Sequence, residues 1–81
     1  NAMARLLAEK ISHIPEVKIT QPVEANAVFA IIPRESIAPL QEKFFFYIWN
    51  ETTSEVRWMT AFDTTPQDID AFVAEVKRQL M

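Results

Sequence analysis

Cysteine and glycine are both missing from this chain, and each absence closes off a branch of chemistry. Without cysteine there is no disulfide framework and no thiolate metal site, and an intracellular, cytoplasmic setting becomes the default expectation. Without glycine the phosphate-cradling loops of Walker and Rossmann type are excluded, because their backbones must approach phosphate with no Cβ in the way. Long apolar runs are missing as well: no uninterrupted stretch approaches the ~20 residues that a membrane-spanning helix requires. Nor is positive charge concentrated anywhere. The net charge is −3, and Arg5, Lys10, Lys18, Arg34, Lys43, Arg57, Lys77 and Arg78 are scattered. No stripe exists to follow a phosphate backbone, so neither nucleic acid nor a membrane is an expected partner.

What is present is a chain of 81 residues that is 49% apolar, too apolar for a disordered tail and short enough for one small domain with a modest core. Met3, Leu7, Ile11 and Ile14 recur at helical spacing, with Arg5, Glu9 and Lys10 off that stripe. Residues 3–13 are therefore expected to form an amphipathic helix ended by Pro15. Val17 to Thr20 alternates weakly and stops at Pro22, whereas Ala27 to Ile32 is apolar on both faces, as in a strand inside a sheet. Ser36 can cap a short helix over Ile37 to Glu42, which puts Pro39 in a first turn where its missing N–H costs nothing.

The uncharged aromatic run Phe44 to Trp49, the polar turn that follows it, and Val56 to Phe62 predict an antiparallel hairpin. Thr65, Pro66 and Asp68 then supply a cap, a first-turn proline and a carboxylate at the third position of a last helix, along which Ile69, Phe72, Val73, Val76 and Leu80 repeat. The order is helix, strand, strand, helix, strand, strand, helix. It predicts a single α+β domain over residues 1–81: a two-layer sandwich with a small, mostly antiparallel sheet of about four strands, the second and fourth central, and helices on one face.

Most candidate chemistry dissolves on inspection. His13 is the one histidine and has no cysteine or carboxylate beside it at ligand spacing, so it reads as a residue near a helix C-terminus rather than a metal ligand. Asp63, Asp68 and Asp70 surround a helix start, where capping and the macrodipole favour carboxylates. Ser36, Thr64 and Thr65 have no neighbouring base. The aromatic run has no interleaved Lys or Arg and reads as core packing rather than a stacking platform for bases.

Arg57 is the residue left to explain. A period of two puts Val56, Trp58, Thr60 and Phe62 on one face and Arg57, Met59 and Ala61 on the other, and neither face reads as plainly water-facing. Two readings stand. In one, the stem packs on the sheet with its head in water, or pairs with Glu51 or Glu55 across the hairpin turn; residue types alone favour this one. In the other, a guanidinium under protein cover awaits an anion of matching geometry.

The stretch Glu55 to Lys77, EVRWMTAFDTTPQDIDAFVAEVK, together with NAMARLLAEK, PVEANAVFAIIP and FYIW, resembles the C-terminal small domain of pyridoxal-phosphate-dependent threonine aldolases of the low-specificity, beta-eliminating lyase type. The resemblance runs nearly end to end. It implies part of a fold-type-I enzyme, usually a homotetramer, that cleaves threonine or allo-threonine into glycine and acetaldehyde. In that family an arginine of the segment that VRWMT resembles binds the substrate α-carboxylate, and it maps onto Arg57. A planar fork of donors grips a carboxylate at two points and so orients the bond to be broken.

The family's Schiff-base lysine, cofactor-stacking histidine and phosphate ligands belong to a large domain outside this chain, and none of Lys10, Lys18, Lys43 or Lys77 stands in the context of the cofactor lysine. The resemblance thus implies that pyridoxal phosphate is held by the full-length enzyme and not by this fragment, which is by itself inactive and carries no catalytic residue. Its implied partners are the large cofactor-binding domain, the amino-acid substrate and further copies of the enzyme. Asn1 and Ala2 fit the family's opening helix, and stand either as native residues or as a remnant of tag removal. One departure is the turn before FFFYIW, which lacks the glycine expected between helix and strand.

The α+β order also permits another class of protein, a free-standing regulatory or dimerisation module of ferredoxin-like or ACT-like kind, although such ligand modules usually need a glycine-bearing turn. Finally, strands apolar on two faces, with helices enough for only one, predict a second, sticky sheet face through which the isolated chain self-associates.

Overall fold

The computed structural model describes residues 2–23, 26–61 and 63–80; Asn1 and Phe62, on which two of the expectations above fall, lie outside them. The first helix, α1 (Ala2–Ile11), buries Ala4, Leu7, Ala8 and Ile11 along one stripe, as residues spaced by three and four must when one helix face is covered. It ends short of the expected residue 13. Pro15 has no N–H to continue the ladder to Ile11, and the chain instead tightens, with the Ile14 N–H on the Ile11 carbonyl at 3.0 Å and the Ser12 hydroxyl on the Glu9 carbonyl at 2.6 Å. That turn returns Ile14 to the core, 1% exposed.

Four strands follow, β1 (Lys18–Ile19), β2 (Ala27–Ile31), β3 (Tyr47–Asn50) and β4 (Glu55–Met59), with α2 (Arg34–Gln41) between β2 and β3 and α3 (Pro66–Leu80) at the end. The sheet order is β1-β2-β4-β3, and each neighbouring pair is antiparallel. The second and fourth strands are central, as their apolar character predicts. Register sets Phe29, Arg57 and Tyr47 side by side across three strands. The architecture is the expected α+β sandwich, with α1 packed on β2 and α3, and α2 on α3.

Burial alternates along the central strands. Val28, Ala30, Val56, Trp58 and Thr60 are buried with Ile11, Leu40, Phe72 and Val76 of the helices. The intervening Ala27, Phe29, Ile31 and Arg57 are only partly covered, and Met59 is half exposed. Thr60 is satisfied at the strand's end by a reciprocal clasp: its N–H and hydroxyl donate to the Asn26 carbonyl at 2.8 and 3.2 Å, and the Asn26 amide donates to the Thr60 carbonyl at 2.8 Å.

The second helix departs from expectation. It starts at Arg34, not beyond Ser36, so Pro39 lies inside it; Pro33 is the cap residue, no side chain caps it, and Ser36 is buried. An interior proline costs about 3 kcal/mol. The helix nevertheless holds Ile37 and Leu40 on the core at 8% and 0% exposure, and two such burials, at roughly 1.5–3 kcal/mol each, offset that cost. The helix then exits through Glu42, whose φ of −68° continues the right-handed turn, and the Gln41 amide donates to the Phe46 carbonyl at 3.1 Å. No left-handed residue is used there, so the missing glycine is not needed. The positive φ falls instead at Ser54 (64°), in the hairpin turn, where the Asn50 carboxamide oxygen accepts the Thr52 N–H at 3.0 Å.

The last helix opens as its sequence dictates. Thr65 Oγ1 accepts the Asp68 N–H at 3.2 Å while Asp68 accepts the Thr65 N–H at 3.0 Å, satisfying two otherwise orphaned donors. Lys10 ties α1 to α3 through Asp70 at 2.9 Å. Farther along, hydrogen bonds from Arg78 and then Gln79 hold the Glu75 carboxyl below the usual carboxylate range. Among the described residues no helix is long and apolar enough to cross a membrane.

Two substitutions test these local assignments by denaturant midpoint. Thr65→Ala removes the cap oxygen and is expected to lower stability by about 1 kcal/mol, with Thr65→Ser nearly neutral. Ser54→Gly relieves a left-handed residue and is expected to raise stability by up to roughly 1 kcal/mol.

Candidate functional site

Arg57 sits mid-way along β4 and points away from the helices, because the strand's period of two commits Val56 and Trp58 to the core. On the next strand, β3 is irregular: Tyr47 pairs with Arg57 and Ile48 with Val56, but Asn50 pairs with Glu55, leaving Trp49 as the extra residue. Such a bulge re-aims side chains. The guanidinium carbon of Arg57 lies 5.2 Å from the centre of the Tyr47 ring and 5.1 Å from that of Trp49. Phe29 buttresses Trp49 edge-on at 5.1 Å, and Phe45 does the same for Tyr47 at 5.0 Å. One cation is thus held by two aromatic rings, each braced by one further ring.

The electrostatics of this arrangement are unusual in one respect. Among the described residues no acceptor takes any donor of Arg57, and its Nε is buried without a partner. The ion pairs among the described residues join Lys10 to Asp70 and Arg78 to Glu75. Glu55 lies on the same face, yet its carboxylate accepts the Thr20 hydroxyl instead. Of the reading that residue types favoured, the pairing with Glu51 or Glu55 is thus not made among the described residues, while a stem packed on the sheet in a partly exposed side chain is what Arg57 shows. An unpartnered buried donor costs about 1–3 kcal/mol, and a cation–π contact returns roughly 0.5–2 kcal/mol per ring, depending on its exposure. The two rings balance that cost, which keeps the guanidinium in place while its hydrogen-bonding capacity stays unspent.

The aromatic run behaves differently from the core packing expected of it. Phe46 is buried and Phe44 and Phe46 pack against the core, but Phe45 is 83% exposed, Tyr47 52% and Trp49 53%. Only one side of the sheet has helices to cover it, and β3 is an edge strand, so most of the run faces outward. With Met59 and Phe29 these side chains form the second apolar face that the sequence predicted.

The remaining candidates stay apart from it. His13 is exposed in the turn after α1, and among the described residues no three potential ligands gather around a metal position. Asp68 caps α3, Asp70 pairs with Lys10 and Asp63 is exposed. Thr64 accepts the Ala61 N–H at 2.8 Å. A cleft of about 340 Å³ lies near the start of α3, lined by Trp58, Phe72, Thr64 and Asp68 among others, without Arg57. Sequence reasoning singled out Arg57 but missed the rings beside it. Their signal was the alternation Tyr47, Trp49 in the strand paired with Arg57.

Fold and face together define a small α+β domain that presents a cation between two rings, without a counter-charge among the described residues, on an open sheet. No protein-family model matches this chain. Over 77 residues it is 29% identical to the low specificity L-threonine aldolase of Pseudomonas aeruginosa, an alignment that covers 95% of this chain and 22% of that enzyme. The chain is thus similar, nearly end to end, to about a fifth of the relative's length, and the enzyme is the one whose family the sequence resembles.

The exposures yield a direct check. Trp49 is half exposed and Trp58 is 2% exposed, so acrylamide is expected to quench only part of the tryptophan emission, and Trp49→Phe is expected to remove the quenchable part. Uniform quenching of both residues would contradict the placement of β3.

Proposed function

We propose that this chain is the C-terminal small domain of a pyridoxal-phosphate-dependent threonine aldolase and that Arg57 binds the α-carboxylate of the amino-acid substrate. The observation that carries the reading is the held but unpaired guanidinium on an apolar face. The similarity to a threonine aldolase over 95% of the chain supports it. A positively charged planar fork, held between two rings and with no anion beside it among the described residues, matches the charge and shape of a carboxylate. Gripping that group at two points orients the amino acid, and orientation supplies a large part of the rate of such reactions.

Pyridoxal phosphate itself does not fit the residues of this chain. Lys10 is engaged with Asp70, and Lys18, Lys43 and Lys77 are exposed; no glycine exists to shape a phosphate loop. In this reading the cofactor is held by the rest of the polypeptide, a large domain that lies against the open aromatic face, and the chain contributes substrate recognition alone. The complete enzyme is a cytoplasmic homo-oligomer. A free-standing ferredoxin-like or ACT-like module gains no support from the similarity.

The test is Arg57→Lys in the complete enzyme. A lysine keeps the charge but not the two-point grip, and kcat/KM for threonine is expected to fall by the equivalent of roughly 2–5 kcal/mol if the carboxylate is buried in the complex. Unchanged kinetics would remove Arg57 from substrate binding.

A further inference from the structure

The way Arg57 is covered says which of its edges a ligand can reach. A guanidinium grips a carboxylate either side-on, through Nε and one terminal nitrogen, or end-on, through Nη1 and Nη2. Here Nε is buried without a partner among the described residues, while the residue as a whole is only partly covered. Tyr47 and Trp49 hold the cation at 5.2 and 5.1 Å, and Phe29 braces Trp49 from the neighbouring strand. We propose that Tyr47 and Trp49 are positioning residues, which fix the Arg57 guanidinium so that the substrate carboxylate is taken end-on by Nη1 and Nη2. This rests on the functional reading above and deepens it.

The rings do two things for such a grip. They replace water around the stem, so the guanidinium keeps its position without an internal anion. They also limit the angles through which its plane can swing, so less rotational freedom is lost when the carboxylate arrives. Neither ring needs to touch the ligand. Removing one leaves the charge in place but lets the fork turn, and the loss appears in substrate binding.

The experiment measures kcat and KM for threonine in the complete enzyme carrying Tyr47→Leu, Trp49→Leu, Tyr47→Phe, Trp49→Phe or Arg57→Lys. Each leucine variant is expected to raise KM about 3- to 30-fold, the span of one cation–π contact, with kcat changed less than about 3-fold. Each phenylalanine variant, which keeps a ring, is expected to restore most of that loss. If a leucine variant does not fold, Tyr47→Gln removes the same ring at a half-exposed edge position and carries the comparison. KM unchanged in the ring variants while Arg57→Lys is impaired overturns the positioning role and leaves the carboxylate reading standing. An impairment that phenylalanine fails to restore also overturns it. Full activity in Arg57→Lys overturns both.

Discussion

One cation, without a counter-charge among the described residues, organises the side of the sheet that the helices leave open. Its position is set by opposing terms of similar size: an unpartnered buried donor against two ring contacts. Had Glu55 turned toward it, the arginine would be a neutralised surface residue of small energetic consequence. Glu55 is held by Thr20 instead, and the charge remains uncommitted. An anion arriving from outside would then meet a donor already in position.

The rest of the fold keeps that charge where it is. Arg57 belongs to a central strand, paired on one side with Phe29 and on the other with Tyr47, and its sequence neighbours Val56 and Trp58 are anchored at 0% and 2% exposure. The strand therefore cannot slip without driving two core residues into water. The ring cage comes from the edge strand, where a bulge leaves Trp49 unpaired in register and free to turn toward the arginine. The core on one face gives rigidity, and the irregular edge gives the shape.

Much of this was legible in the residues. The second strand announced itself by being apolar on both faces, the hairpin by its polar turn, and α3 by the reciprocal cap between Thr65 and Asp68. Arg57 stood out because a strand's alternation placed it opposite the core. Other features rest on tertiary terms that a local reading does not weigh. The start of α2 was misplaced because the proline rule is local, while the burial of Ile37 and Leu40 is not. The exposure of Phe45, Tyr47 and Trp49 was missed because an aromatic run looks the same whether or not helices exist to cover it. The bulge at Trp49 and the left-handed Ser54 had no signal in residue type, since glycine, the residue that would have flagged them, is absent.

The cation unpaired among the described residues carries the proposal that Arg57 binds a carboxylate brought by the rest of an enzyme, and the similarity to a threonine aldolase over 95% of the chain bears on the enzyme alone. A structure of the complete enzyme with its amino-acid substrate tests this most directly. The account predicts the two terminal nitrogens of Arg57 at about 2.7–2.9 Å from the two carboxylate oxygens, with Tyr47 and Trp49 still facing the guanidinium. A carboxylate bound elsewhere, with Arg57 paired to an acidic side chain of another domain, would contradict it.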